Sequence, residues 1–152
     1  MSSTSLRWAL LGASDIAATR MIPAFRAAGH EVVVVQSGYA PWAQEYAATH
    51  GIEEWTTSVD EAVGRADVDA VYISSKNDRH RAQVEASAAA GKHVLSEKPL
   101  ALTLADAQAM VDACAAAGVV MGTNHHLPAS PTHRAVKRLV AEGAVGEVRA
   151  IH

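Results

Sequence analysis

The chain has 152 residues, of which 49% are hydrophobic and 19% charged, a composition that is ordinary for one globular domain with a substantial core. Its net charge is −3 and it has no basic run, which argues against nucleic acid or an anionic membrane surface as a partner. The only cysteine, Cys114, excludes an internal disulfide, so we expect a reducing, cytoplasmic setting. The apolar run 8–13 is too short for a signal sequence or a membrane span.

Short apolar runs alternate along the chain with amphipathic or alanine-rich stretches. The runs predict strands at 6–11, 31–36, 70–74, 93–96 and 119–123, with a further short strand near Trp55. The intervening stretches predict helices at 16–28, 41–50, 59–64, 79–90 and 104–117. Ser58 and Thr103 each have a carboxylate three residues on, the spacing of a helix N-terminal capping box. This alternation predicts an α/β fold with a doubly wound parallel sheet and helices on both faces.

The stretch L-L-G-A-S-D-I-A, residues 10–17, has Gly12, Ser14 and Ala17 where a dinucleotide-binding fingerprint has its three glycines. Gly12 ends the first predicted strand, and the next helix begins near Asp15 or Ile16. Its free N–H groups and positive dipole end would therefore face an anion, and the Ser14 hydroxyl could donate to a phosphate oxygen. The motif alone leaves open a phosphate-binding loop or a purely structural turn.

A second stretch, S-E-K-P-L at 96–100, directly follows a predicted strand. Pro99 favours an extended Lys98 and delays the next helix until Thr103 caps it. Glu97 and Lys98 are therefore expected at the carboxyl end of a strand, the edge where parallel sheets bind ligands. Taken alone, they are equally consistent with two solvated charges in a turn.

The segment A-G-K-H-V-L-S-E-K-P-L-A-L-T at 90–103 resembles the signature of the Gfo/Idh/MocA oxidoreductases. The stretches D-V-D-A-V-Y-I-S-S at 67–75 and A-E-G-A-V-G-E-V at 141–148 support it. Within this family, G-A-S-x-I-A together with T-N-H-H-L is most similar to the subgroup of 1,5-anhydro-D-fructose reductases. The resemblance implies a Rossmann-type fold, and in that subgroup a serine at position 14 belongs to the phosphate-binding loop.

The resemblance also implies roles for individual residues. It places the pyrophosphate beside Gly12, Ala13, Ser14 and Ile16, the adenosine ribose beside Ser37, and the neighbouring loop at Ser74, Ser75, Asn77 and His80. Glu97 corresponds to the residue near the nicotinamide ribose. Lys98 corresponds to the catalytic lysine beside the nicotinamide and substrate, where a cation can stabilise a developing alkoxide.

The resemblance implies a hydride transfer between a nicotinamide cofactor and a sugar-like or polyol carbonyl or alcohol. The loop G-Y-A-P-W after Ser37 has neither an arginine for a 2′-phosphate nor a carboxylate for a free 2′-hydroxyl. The cofactor is therefore NADP or NAD, and the missing acid slightly favours NADP. The resemblance also implies a small sugar-like molecule as the partner, and it leaves open whether the protein forms a homo-oligomer.

The family pairs its nucleotide domain with a second, largely antiparallel domain. We expect residues 1–124 to form the dinucleotide-binding domain and 125–152 to form a linker helix and the start of the second domain, with a first strand at 148–151. The rest of that domain is not expected in these residues, so we expect the chain alone to be inactive. The sequence leaves open whether the chain is a piece of a longer protein or a natural short homologue. The alternative function is a dinucleotide-binding module without turnover; a methyltransferase-like fold is disfavoured by E-K-P.

Three histidines, His125, His126 and His133, raise the question of a metal site. Adjacent histidines on an extended segment point to opposite sides, and no Cys, Asp or Glu lies nearby in sequence, so we predict no metal site. His125 is taken as a candidate to line the cofactor or substrate site, with an ordinary polar loop as the alternative. Tyr39 and Trp42 could either cover the adenine or simply pack at the surface.

Overall fold

The computed structural model describes residues 5–150, and its strands form a six-stranded parallel sheet with helices on both faces. The strands are β1 (Arg7–Leu11), β2 (Glu31–Gln36), β3 (Glu54–Thr56), β4 (Ala70–Ile73), β5 (His93–Glu97) and β6 (Met121–Asn124). The helices are α1 (Ile22–Ala27), α2 (Ala40–His50), α3 (Val59–Gly64), α4 (His80–Ala89), α5 (Leu104–Ala116) and α6 (Pro131–Ala141). The doubly wound fold predicted from the sequence is confirmed.

The order of the strands, β3-β2-β1-β4-β5-β6, places the site. The chain runs outward from β1 to β3, then returns to the other side of β1 and continues through β4 to β6. The direction of winding therefore reverses between β1 and β4. Ligands of open parallel sheets bind beyond the carboxyl ends of the strands at this reversal.

Two hydrophobic cores, one on each face, hold the sheet between its helices. On one face, Val84, Met110 and Cys114 of α4 and α5 pack with Ala9 and Leu11 of β1. On the other face, α1 and α2 cover the remaining positions of the same strands, where the rings of Trp8 and Phe25 stack with their centroids 4.3 Å apart. The strands are buried on both faces, which explains their nearly continuous apolar sequence.

The helix predicted at 16–28 is irregular. The backbone is helical from Asp15, but Ala17–Met21 forms a π-helical turn in which the N–H of Ile22 donates to the carbonyl of Ala17. Pro23 explains this widening, because proline has no N–H and its ring collides with the carbonyl four residues before it. The first helix is therefore split into a π turn and α1.

The predicted helix starts at Ser58 and Thr103 are confirmed. Each hydroxyl oxygen accepts a hydrogen bond from the N–H three residues on, that of Glu61 at 3.2 Å and that of Asp106 at 3.0 Å. The two carboxylates do not complete the box by bonding the capping N–H groups. The carboxylate of Asp106 instead accepts from the Thr103 hydroxyl at 2.7 Å.

The strand predicted at 148–151 is wrong for its described part. Residues 148–150 are not in a strand, and Ile151 lies outside the described residues. Extended chain becomes a strand only when a neighbour completes its hydrogen-bond ladder, and the described part of the chain pairs no segment with 148–150. Between residues 5 and 150, no helix is long and apolar enough to cross a membrane.

Candidate functional site

The turn after β1 and the loop after β4 approach each other at the carboxyl edge of the sheet. Gly12 has φ +114°, and a Cβ added to it would stand 2.7 Å from the backbone nitrogen of Ser75 and 2.8 Å from the carbonyl carbon of Ser74. Only glycine permits both this φ and this contact. The remaining residues of the turn, Ala13 to Ile16, are thereby held between the ends of β1 and β4.

The hydroxyl of Ser14 joins this turn, the helix start and the β4 loop. It donates to Ser74 Oγ at 2.7 Å and accepts from the N–H of Ala17 at 3.2 Å, while Ser74 Oγ donates to the carbonyl of Gly12 at 3.3 Å. The serine that stands in place of the second glycine of the fingerprint therefore caps the helix and links the two loops by a hydrogen bond.

Two aromatic side chains of α2 hold the carbonyl groups of the turn. Trp42 Nε1 donates to the carbonyl of Ala13 at 3.0 Å, and the Tyr46 hydroxyl donates to that of Ser14 at 2.9 Å. Burial, and secondarily the nearby Asp15 carboxylate, raises the pKa of Tyr46 to about 12, so its hydroxyl stays protonated and donating. Among residues 5–150 the backbone N–H groups of Ala13 and Ser14 have no hydrogen-bond partner, which leaves them available to an anion.

A cleft of about 380 Å³, here called the serine-rich cleft, opens on one side of this turn. Six residues predicted from the sequence line it, and they follow β1, β2 and β4: Gly12, Ala13, Ser14, Ser37, Ser74 and Ser75. It also contains Lys76, Arg79 and Gln83, none of which the sequence singled out. Gln83 accepts a hydrogen bond from the Ser75 hydroxyl at 2.6 Å.

His80 and Asn77 lie near the serine-rich cleft but do not line it. His80 is fully buried, with Nε2 3.2 Å from the carbonyl oxygen of Ser75 and Nδ1 3.2 Å from that of Pro99. It therefore connects the β4 loop to the segment after β5. Asn77 lies with Asp78 at a separate small cleft.

On the other side of the turn lies a second cleft of about 420 Å³, here called the Lys98 cleft. Its lining residues are Ile16, Arg20, Met21, Glu97, Lys98, Asn124 and His126. The π turn contributes Arg20 and Met21, so the widened helix faces this cleft. The predicted residues Ile16, Glu97 and Lys98 are thus brought together, and Lys98 is exposed toward the cleft.

Glu97 is held by three hydrogen bonds at the end of β5. Its Oε1 accepts from the Tyr72 hydroxyl at 2.7 Å and from Asn124 Nδ2 at 2.6 Å, and its Oε2 accepts from the N–H of Lys98 at 3.2 Å. Burial, together with the Glu97 carboxylate, raises the pKa of the Tyr72 hydroxyl far above its ordinary value, so it remains a donor. The carboxylate is thereby oriented, and it fixes the backbone from which the Lys98 side chain extends.

The histidines are arranged differently from the sequence prediction. His126 lines the Lys98 cleft, whereas His125 is exposed outside it. Within residues 5–150, no group of three or more His, Cys, Asp or Glu side chains is placed to hold a metal ion. Tyr39 and Trp42 do not line the serine-rich cleft, and Tyr39 is 67% exposed.

Two kinds of residue were missed at the sequence level. Asn124 could have been found from register, because a polar residue at the end of β6 pairs with Glu97 at the end of β5. Tyr46 and Arg79 gave no local signal, and Trp42 was expected to cover the adenine or pack at the surface rather than to bond the turn. Their roles follow from tertiary packing alone.

The paired clefts and the Gly12 turn between them define the class of the fold, a dinucleotide-binding domain. Residues 6–125 match the family model GFO_IDH_MocA, described as an oxidoreductase family with an NAD-binding Rossmann fold. The chain belongs to the Gfo/Idh/MocA family of oxidoreductases and contains its NAD-binding part. The resemblance inferred from the E-K-P segment is therefore confirmed.

Similar proteins include several sugar reductases. The chain is 54% identical over 140 residues to a 1,5-anhydro-D-fructose reductase of Ensifer adhaerens, covering 92% of this chain and 42% of that protein. It is 38% identical over 148 residues to a dTDP-3,4-didehydro-2,6-dideoxy-alpha-D-glucose 3-reductase of Streptomyces violaceoruber, covering 97% and 43%. The chain thus spans less than half the length of these relatives.

Solved structures with the same fold contain either form of the cofactor. A 3-ketoreductase of Actinomadura kijaniata in complex with NADP and TDP-benzene superposes with a TM-score of 0.89 at 31% identity, over 96% of this chain and 45% of that one. An oxidoreductase of Agrobacterium radiobacter in complex with NAD+, L-tartaric acid and magnesium gives 0.86 at 27% identity, over 95% and 42%. The cofactor class is therefore NADP or NAD.

We expect Gly12→Ala to destabilise the protein by about 3 kcal/mol, because the added methyl group meets the Ser75 backbone at a positive φ. Gly29→Ala is the matched control: its φ is +80°, and nothing lies within 4 Å of the added Cβ, so the strain alone should cost about 1 kcal/mol. Urea unfolding followed by circular dichroism measures both. Equal losses would mean that the two loops do not require their close contact.

Proposed function

We propose that the chain binds a nicotinamide dinucleotide across the carboxyl edge of its sheet and forms the cofactor half of a sugar-type reductase or dehydrogenase. The observation that carries this proposal is the arrangement of two clefts of similar volume on either side of one turn. A dinucleotide has the same arrangement, with a nucleoside at each end of a pyrophosphate.

The pyrophosphate would lie at the Gly12 turn. The N–H groups of Ala13 and Ser14 are free of partners within residues 5–150, and the helical segment from Asp15 presents its positive end. The space that a Cβ at Gly12 would fill is taken up by the contact with the β4 loop, so this glycine makes the tight turn that presents the two N–H groups. Ile16 borders the turn on the side of the Lys98 cleft.

The adenosine half would occupy the serine-rich cleft, with Ser37 at the ribose and Ser74 and Ser75 along the opposite wall. The nicotinamide half would occupy the Lys98 cleft beside Ile16 and Met21. His80 supports this assignment indirectly, because its buried ring lies between the Ser75 carbonyl and the segment after Lys98, within 3.2 Å of a carbonyl oxygen on each side.

Lys98 is the group we propose to act on the substrate. A bound nicotinamide supplies or accepts the hydride. The lysine ammonium would orient the substrate oxygen, stabilise negative charge that develops on it and transfer a proton to or from it. Glu97 has a positioning role, since its carboxylate is held by Tyr72 and Asn124 and bonds the Lys98 N–H.

The Lys98 cleft is incomplete as a substrate pocket, because Lys98 and His126 are both exposed. Correct placement of the reacting atoms can contribute about 7–11 kcal/mol to a rate enhancement, and an open cleft cannot supply it. We therefore propose that turnover requires a second domain over this cleft, and that the chain alone is a binding module. A sugar-like carbonyl is the proposed substrate class, in keeping with the relatives.

We expect the folded chain to bind NADPH and NADH saturably, with NADPH the tighter ligand, because the cations beside Ser37 can compensate a 2′-phosphate and no acid lines that cleft. Titration of each nucleotide against tryptophan fluorescence measures the two dissociation constants. Trp42 lies against the turn, so its emission should report binding. A folded sample that binds neither nucleotide would overturn the proposed function.

We expect Lys98→Ala to lower kcat/KM by orders of magnitude while leaving dinucleotide affinity nearly unchanged, because the lysine acts on the substrate oxygen. The test joins this chain to the second domain of the Ensifer adhaerens relative and measures NADPH-dependent reduction of 1,5-anhydro-D-fructose. Lys98→Arg should restore little, since arginine keeps the charge but does not release a proton.

Lys137→Ala is the control for this variant, because Lys137 is an exposed lysine on α6 outside both clefts. It should match the parent enzyme. The 152-residue chain alone should show negligible turnover. Full activity of the joined Lys98→Ala variant would remove the role of the lysine, and rapid turnover by the chain alone would remove the need for a second domain.

A further inference from the structure

The serine-rich cleft carries a positive charge that the sequence motif does not explain. Of the residues that line it, Lys76 and Arg79 are the charged ones, and both are cations. Both belong to the loop after β4. They lie across the cleft from the loop after β2, which contributes Ser37 and Gly38.

The loop after β2 is where dinucleotide-binding folds usually distinguish their cofactors. A carboxylate at this position binds the ribose 2′-hydroxyl of NAD, and an arginine nearby accommodates the 2′-phosphate of NADP. Here β2 ends at Gln36, and its side-chain amide donates to the carbonyl of Thr57. The following residues, Ser37, Gly38 and Tyr39, provide neither group.

Arg79 reaches the place that such an arginine would occupy. Its Nη1 lies 3.6 Å from the position of a Cβ built on Gly38. This is an ordinary van der Waals distance, so the guanidinium reaches across the cleft to the loop after β2. The guanidinium and Ser37 consequently border the same part of the cleft.

The charge of Arg79 is not neutralised within the described part of the chain. Among residues 5–150 neither Arg79 nor Lys76 forms a salt bridge, and the adjacent Asp78 lies at another cleft, beside Arg81 and Asp106. The backbone of Arg79 is held in place, since its N–H donates to the carbonyl of Lys76 at 2.9 Å and the next residue, His80, is fully buried.

We propose that Arg79, assisted by Lys76 and Ser37, binds the 2′-phosphate of NADP, so that the loop after β4 determines cofactor choice in this protein. A guanidinium presents several N–H donors in one plane, which suits a phosphate dianion. This inference rests on the proposed dinucleotide binding and adds to it the residues that select the phosphorylated form.

The test compares Arg79→Gln with Arg81→Gln, both measured for NADPH and NADH in the folded chain. Arg81 is a matched control, because it is two residues away but pairs with Glu85 and Asp106 outside the cleft. Arg79→Gln should weaken NADPH by about tenfold to a hundredfold and change NADH less than about threefold, since one charge-assisted contact is lost. Arg81→Gln should change neither.

Comparing NADPH with NADH distinguishes binding of the 2′-phosphate by Arg79 from stacking of Arg79 on the adenine. If Arg79 stacked on the adenine instead, Arg79→Gln would weaken NADPH and NADH equally, and 2′,5′-ADP would lose no more affinity than 5′-AMP. That result, or unchanged affinity for both cofactors, would overturn the inference while leaving dinucleotide binding intact. If the unsubstituted chain bound neither cofactor, the proposed function would fail and the inference with it.

Discussion

The contact between the Gly12 turn and the Ser74–Ser75 backbone is the constraint on which the rest of the site depends. The backbone nitrogen of Ser75, just after β4, lies 2.7 Å from the position that a Cβ on residue 12 would occupy. Strands β1 and β4 are adjacent in the sheet, at the reversal of winding, so the contact forms where the topology places a ligand. Both sides of this contact line the serine-rich cleft, and the Lys98 cleft begins beyond the turn, at Ile16.

The surrounding side chains maintain this contact from three directions. Ser14 and Ser74 connect the loops through their hydroxyl groups, and Tyr46 holds the turn from α2. On the far side, the buried ring of His80 packs between the β4 loop and the segment after Lys98. Each interaction is modest alone, at about 1 kcal/mol for a typical hydrogen bond, but together they order the turn before a ligand binds.

Much of this molecule was predictable because its signals are local. The apolar strands, the caps at Ser58 and Thr103 and the placement of Lys98 at a strand end all depend on neighbouring residues, and all agree with the structure. The split of the first helix is also a local effect of Pro23, but the periodic pattern of 16–28 conceals it. The strand expected at 148–151 fails for a different reason, since a strand requires a partner that the local sequence does not provide.

The remaining features depend on contacts between segments far apart in sequence. Arg79 and Gly38 are 41 positions apart, and no spacing rule connects them. The sequence places Tyr72 in a predicted strand and leaves Trp42 either covering the adenine or at the surface. In the structure, Tyr72 orients Glu97 and Trp42 holds the Gly12 turn. Sequence motifs therefore indicated the residues proposed to contact the cofactor and substrate, but not the side chains that hold those residues in place.

If the Gly12 turn and the β4 loop form one anion-binding site, a nuclear magnetic resonance titration with NADPH will show it in the amide chemical shifts of both segments. We expect the amides of Gly12, Ser14 and Ser75 to shift together along one saturation curve. Arg26 and Gly51, at a cleft beside the opening residues of β1 and β2, should not shift. Saturable binding that moves Arg26 and Gly51 but leaves Gly12 and Ser75 unchanged would contradict the account.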